Sequence, residues 1–141
     1  MYLLDTNILS ELMRINPNQD VIHWLDNQFV DDLAISSITI AEIRLGIALL
    51  PEGKRKQALS QAANHMFTDF AKNLRSFEAD AAAYYAEIVA KRTKIGRPIS
   101  VEDAQIAAIA RVANAVLVTR NVVDFEKIEG LEVYNPFFLS D

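Results

Sequence analysis

MYLLDTNILSEL, residues 1–12, passes from a few apolar residues to one aspartate and then directly into a helical pattern. Tyr2-Leu3-Leu4 reads as a short buried strand, and Ile8, Leu9, Leu12 and Met13 recur at the spacing of one helix face. Asp5 stands at the junction, where two readings compete. Its carboxylate can cap the helix by accepting free N–H groups of the first turn. If strands and helices go on alternating, however, Asp5 also lies just past the carboxyl end of a parallel strand, the edge at which open α/β sheets bind ligands.

The alternation does continue. Pro17-Asn18 ends the first helix, and Val21, Ile22, Trp24, Leu25 and Phe29 extend a second. Leu33–Ser36 reads as a strand, followed by a helix over about 39–50 that Pro51 and Gly53 stop. Residues 54–70 are helical with Ala58, Leu59, Ala62, Ala63, Met66 and Phe67 inward; 73–77 is a candidate strand; Ala79–Lys94 is an alanine-rich helix ended by Gly96 and Pro98. Ser100 opens a helix over 104–113, the β-branched run 115–118 is the clearest strand, and 131–134 is the last. This predicts an α/β three-layer sandwich, a short parallel sheet of four to five strands with helices on both faces, as a single domain over 1–141.

Composition narrows the chemistry. At 141 residues, 51% hydrophobic and 23% charged, the chain can bury a real core and is not disordered. No apolar run approaches the ~20 residues that span a bilayer, and nothing resembles an export leader, so the expected setting is cytoplasmic with no membrane association. Without cysteine there is no disulfide framework, thiolate nucleophile or zinc cluster. Chemistry then falls to oxygen ligands, hydroxyls or the two histidines, and His23 and His65 sit mid-helix as structural or exposed residues. A net charge of −5 argues against non-specific adhesion to nucleic acid, yet local basic clusters could still hold phosphates around an acidic pocket.

Three further polar clusters follow predicted strands or open predicted helices. Glu42 lies in Ser37-Ile38-Thr39-Ile40-Ala41-Glu42, Asp103 in Ser100-Val101-Glu102-Asp103-Ala104-Gln105, and Thr119-Arg120-Asn121 is followed by Asp124. Singly, each has a structural explanation: Thr39-x-x-Glu42 and Ser100-x-x-Asp103 fit the capping-box spacing or its aspartate variant, and Asp124 fits a turn. Together, Asp5, Glu42 and Asp103 head three helices at one expected sheet edge, where they repel one another unless a cation sits among them. Hard divalent cations suit such oxygen donors, and Mg²⁺ is typically held by a few carboxylates while keeping several waters.

Leu4-Asp5-Thr6-Asn7, Thr39-x-x-Glu42-Ile43, Glu102-Asp103-Ala104-x-Ile106-Ala107-Ala108 and Thr119-Arg120-Asn121-x-x-Asp124-Phe125 together resemble the PIN domain ribonucleases, and especially the VapC-type toxins of bacterial toxin–antitoxin pairs with their FitB-like branch. The resemblance implies a Mg²⁺- or Mn²⁺-dependent endoribonuclease, homodimeric and inhibited by a cognate VapB-type antitoxin. It implies Asp5, Glu42 and Asp103 as metal ligands. Many members carry aspartate where this chain has Asn121, which leaves Asn121 and Asp124 with supporting catalytic roles. Arg44 and Arg120 are the basic residues expected nearest the acids, with Lys54-Arg55-Lys56 and Lys91-Arg92, Lys94 and Arg97 as further candidates for RNA phosphates. Residues 43–50 are apolar on more than one helical face and are the expected seat of an antitoxin helix. The competing expectation is a catalytically weak PIN module that acts as a DNA-bound regulator through its partner.

Overall fold

Tyr2–Leu4 forms the middle strand of a five-stranded parallel sheet in the computed structural model, which describes residues 1–138; residues 139–141, the end of the expected domain, lie outside them. The elements run β1 (Tyr2–Leu4), α1 (Thr6–Leu12), α2 (Gln19–Asp26), β2 (Leu33–Ser36), α3 (Ser37–Ala48), α4 (Lys54–Asp69), β3 (Leu74–Arg75), α5 (Ala79–Lys94), α6 (Val101–Ala113), β4 (Val116–Val118) and β5 (Val133–Tyr134). Strand order is β3-β2-β1-β4-β5. The chain therefore winds outward from β1 to one side, then crosses back and winds to the other. The reversal falls between β1 and β4, paired Tyr2 to Val116, Leu3 to Leu117 and Leu4 to Val118.

Side chains on adjacent strand residues leave opposite faces of a sheet. Leu3, Ala34 and Leu117 accordingly enter a core with α5 and α6, while Leu4, Leu33, Ile35 and Val118 enter a second core with α1 to α4. The first core is closed by alanines: Ala104, Ala107, Ala108 and Ala110 are fully buried on α6 and let its backbone approach the sheet closely. The second is built from Ile8, Leu9, Val21, Trp24 and Ile43. Each such aliphatic side chain removed from water contributes about 1.5–3 kcal/mol before entropy is counted. Asn114 ends α6 in the left-handed conformation at φ 52°, which Asn tolerates well and which turns the chain straight into β4.

Several boundaries depart from expectation for local reasons. The second helix stops at Asp26 rather than reaching Phe29, because Asn27 and Gln28 turn their amides back onto the carbonyls of His23 and Trp24; Phe29 is left exposed. The third strand shrinks to two residues, and Asn73 instead donates to the carbonyls of Asp31 and Leu33, both at 3.0 Å. The third helix begins at Ser37, not Thr39, because Ser36 is its cap. On α4 Ala58 faces solvent, and Ala63 is the residue of that helix that is fully inside.

Candidate active site

The carboxyl ends of β1 and β4 meet at the switch point, and a network of short side chains joins them. Asp5 extends the ladder by one residue, its N–H donating to the Val118 carbonyl at 2.9 Å. Its side chain then accepts from three neutral donors: the Thr6 N–H at 2.8 Å, the Thr119 hydroxyl at 2.8 Å and the Asn7 amide at 3.2 Å. Thr119, fully buried, in turn accepts from the Asn7 amide at 3.0 Å and the Asn121 N–H at 3.1 Å. The Asn7 side-chain oxygen Oδ1 accepts the Arg120 N–H at 3.1 Å. Asp5 thus caps α1 and is aimed by the β4 loop at the same time.

Glu42 reaches this edge from the second turn of α3. The capping-box expectation at Thr39-x-x-Glu42 does not hold: Ser36 caps α3 by accepting the Thr39 N–H at 3.1 Å. Glu42 is left to take the Thr6 hydroxyl at 2.6 Å, while the hydroxyls of Thr6 and Thr39 lie 3.1 Å apart. Asp103 lies in the first turn of α6, whose cap Ser100 accepts the Asp103 N–H at 3.1 Å.

Asp5, Glu42 and Asp103 line one open cleft of about 460 Å³, together with Asn121. Asp124 does not line it, although its charge acts on Asp103. Burial, opposed by the three donors and reinforced by Glu42, raises the Asp5 carboxyl above its ordinary value. Asp103 is pushed up to about 6, first by burial and then by the charge on Asp5, with smaller contributions from Asp124 and Glu42. These carboxylates lack an ion-pair partner among the described residues. No three acidic or histidine side chains among those residues stand close enough to cage an ion by themselves. A donor set of that kind suits a divalent cation that keeps part of its water, as Mg²⁺ does. A wider groove, about 650 Å³, runs between α1, α2 and α4, but its lining is mainly apolar with Asp26, His65 and Asp69 among it.

The basic residues behave differently from expectation. Arg44 stacks over Phe67 at 4.9 Å and donates to Asn64, and Arg120 stacks over Phe137 at 4.7 Å; neither lines the acidic cleft. Arg92 is not a surface cation at all. It is buried and donates to the carbonyls of Arg97, Asp124 and Glu126 at 2.7, 3.0 and 2.9 Å, fixing the loop that follows β4. His23 and His65 are exposed. Three cleft residues escaped the sequence reading: Ser10, Glu11, whose signal was its place three residues after Ile8 on the buried face of α1, and Arg14 beyond it.

A parallel sheet with its acids gathered at the switch point defines a class of α/β proteins built for ligand chemistry at that edge. The family described as PIN domain matches residues 2–131, and the chain belongs to it. It is 42% identical to the plasmid stability protein StbB of Pseudomonas syringae pv. tomato, 38% to the toxin FitB of Neisseria gonorrhoeae and 35% to the VapC ribonuclease Y4jK of Sinorhizobium fredii. Each alignment spans 97% of this chain and 98–99% of the relative. Among solved structures, FitAB bound to the IR36 DNA fragment superposes with a TM-score of 0.91 at 38% identity, over 99% of this chain and 97% of the other.

Proposed function

We propose that this chain is a single PIN domain over 1–141 that hydrolyses RNA phosphodiester bonds as the toxin of a toxin–antitoxin pair. The observation that carries the reading is the cleft at the β1–β4 switch point, where Asp5 and Asp103 hold raised carboxyl pKa values without an ion-pair partner among the described residues. Relatives named as a VapC ribonuclease and as toxin FitB support it.

Asp5, Glu42 and Asp103 are the residues that would hold a divalent cation, Mg²⁺ with Mn²⁺ as an alternative. Such an ion supplies a lowered pKa for bound water and polarises the phosphoryl oxygen. The chain's own contribution is orientation. Thr119, Asn7 and the Thr6 N–H fix the Asp5 carboxylate, and the Thr6 hydroxyl fixes that of Glu42. Asn121 offers an amide oxygen at the cleft wall without adding charge, and Asp124 adds negative potential from the side. We assign both supporting roles.

Leu45 on α3 and Leu49 at its C-terminal cap are 60% and 76% exposed, and they are the seat we propose for an apolar helix of a VapB-type antitoxin beside Glu42. No described helix is long and apolar enough to cross a membrane; we place the protein in the cytoplasm as a homodimer. A second reading, a regulator on DNA, is favoured by the DNA-bound FitAB complex. With a net charge of −5, this chain would contact DNA through its partner rather than directly. Incubating the purified chain with RNA plus Mg²⁺, Mn²⁺ or chelator separates the two. Metal-dependent cleavage lost in Asp5→Asn and Asp103→Asn supports the nuclease. Equal cleavage by those variants overturns it.

A further inference from the structure

Arg14 is the one basic side chain among the described residues that lines the acidic cleft. It lies two residues past the end of α1, the helix that Asp5 caps. Its side chain is 65% exposed and is held from one side by Glu11, with Nη1 at 3.3 Å from Oε1 and 3.5 Å from Oε2. Glu11 is itself only 5% exposed, and its Oε2 accepts the Asn18 N–H at 2.8 Å where α2 begins. The carboxylate is therefore pinned to the backbone. The guanidinium is tethered to it through Nη1, and its other donors have no hydrogen-bond partner among the described residues.

A cleft walled by Asp5, Glu42, Glu11 and Asp103 repels a polyanion. Nucleic-acid backbones are ordinarily held by Arg and Lys, and each such contact contributes to the salt dependence of binding. Arg44 and Arg120 are committed to Phe67 and Phe137, so Arg14 is the residue left to meet a phosphate at this mouth. The seven residues of α1 span ~10 Å, at ~1.5 Å per residue. Asp5 and Arg14 therefore lie at opposite ends of α1 and both line the cleft, about one nucleotide or more apart along it.

We propose that Arg14, tethered by Glu11, grips a phosphate of the RNA backbone next to the scissile bond and so sets the register in which the strand lies over the acids. This rests on the ribonuclease reading. The test is binding of a short RNA in chelator, which halts metal-dependent cleavage, measured by fluorescence anisotropy over a series of KCl concentrations, with cutting followed separately in Mg²⁺. Circular dichroism checks that each variant is folded. Arg14→Gln weakens binding about tenfold, as expected for one charge-assisted contact, and flattens the slope of log K against log salt by about 0.7. Arg14→Lys restores the slope but only part of the affinity. A neutral methylphosphonate at the flanking position weakens the wild type and adds nothing to Arg14→Gln. Equal affinity and slope for wild type and Arg14→Gln, or additive losses from variant and methylphosphonate, overturn the assignment of Arg14 alone. A wild type that neither binds nor cuts RNA overturns the ribonuclease reading, and this inference with it.

Discussion

The two ends of α1 each carry a buried carboxylate, and they are stabilised in opposite ways. Asp5 at the N-terminal end is 4% exposed and receives three neutral donors, yet it shares the cleft with Glu42 and Asp103 and has no ion-pair partner among the described residues. Glu11 near the C-terminal end is 5% exposed, takes one backbone N–H and is paired with Arg14. Both are hydrogen-bonded, so hydrogen bonding does not distinguish a structural acid from a functional one. The difference lies in charge: Glu11 is compensated within the chain, and the Asp5 cluster is not.

The comparison breaks most easily in activity. Asp5→Asn, Glu42→Gln and Asp103→Asn should each lower RNA cleavage by roughly a hundredfold or more, since even residues that only support metal ligands typically matter by 10–100-fold. Mg²⁺ should raise the melting temperature of the wild type, and that rise should vanish with each of these substitutions. Glu11→Ala should keep that Mg²⁺-induced rise. If Glu11→Ala lost it and Asp5→Asn kept it, the roles assigned to the two ends would be reversed.

Stability should separate the ends the other way. Glu11→Ala leaves the Asn18 N–H without its buried partner and should cost about 1–3 kcal/mol in chemical denaturation. Asp103→Asn, measured without metal, should be stabilising at neutral pH. A carboxyl raised from 3.8 to about 6 binds its proton more tightly in the folded state, so its ionisation destabilises the fold as pH rises through that window. The gain from Asp103→Asn should be of order 1 kcal/mol after solvent screening at this half-buried group, complete above about pH 6 and absent below about pH 4. A destabilised Asp103→Asn at pH 7 would make Asp103 an ordinary helix-terminal acid. The smallest effect belongs to Arg44→Ala. Loss of its exposed stacking on Phe67 should cost about 0.5–1 kcal/mol and leave the salt slope of RNA binding unchanged.

Much of this was legible in the residue order. Strand, acid and helix at residues 1–12, and the β-branched run before Thr119, follow from apolar periodicity alone, and they put Asp5 at the correct edge. Asp103 could be placed because Ser100 caps α6 as its type predicts. Glu42 could be placed because it follows the second strand; the capping box, its competing structural explanation, gives way to a tertiary hydroxyl from Thr6. Side-chain commitments made over long sequence distances were not legible. Arg92 and Arg120 look alike in a string of letters, but one is buried on three carbonyls and the other lies on an aromatic ring. Asn27, Gln28 and Asn73 spend their amides on distant or preceding carbonyls, and so shorten elements that periodicity alone extends.

The hydrogen bonds from Asn7 and Thr119 that orient Asp5 also impose an order of events during synthesis. Thr119 lies 114 residues after Asp5, and the sheet order seats β4 directly against β1. At about 5–20 residues per second, roughly 6–20 s separate the emergence of these two residues from a ribosome. Until β4 arrives, the first strand has neither its neighbour on that side nor the hydroxyl that aims its acid. A nascent or truncated chain ending before Thr119 carries Asp5, Glu42 and Asp103 but holds Asp5 by its local donors Thr6 and Asn7 alone. The cleft is fully assembled only after Thr119 has been added to the chain.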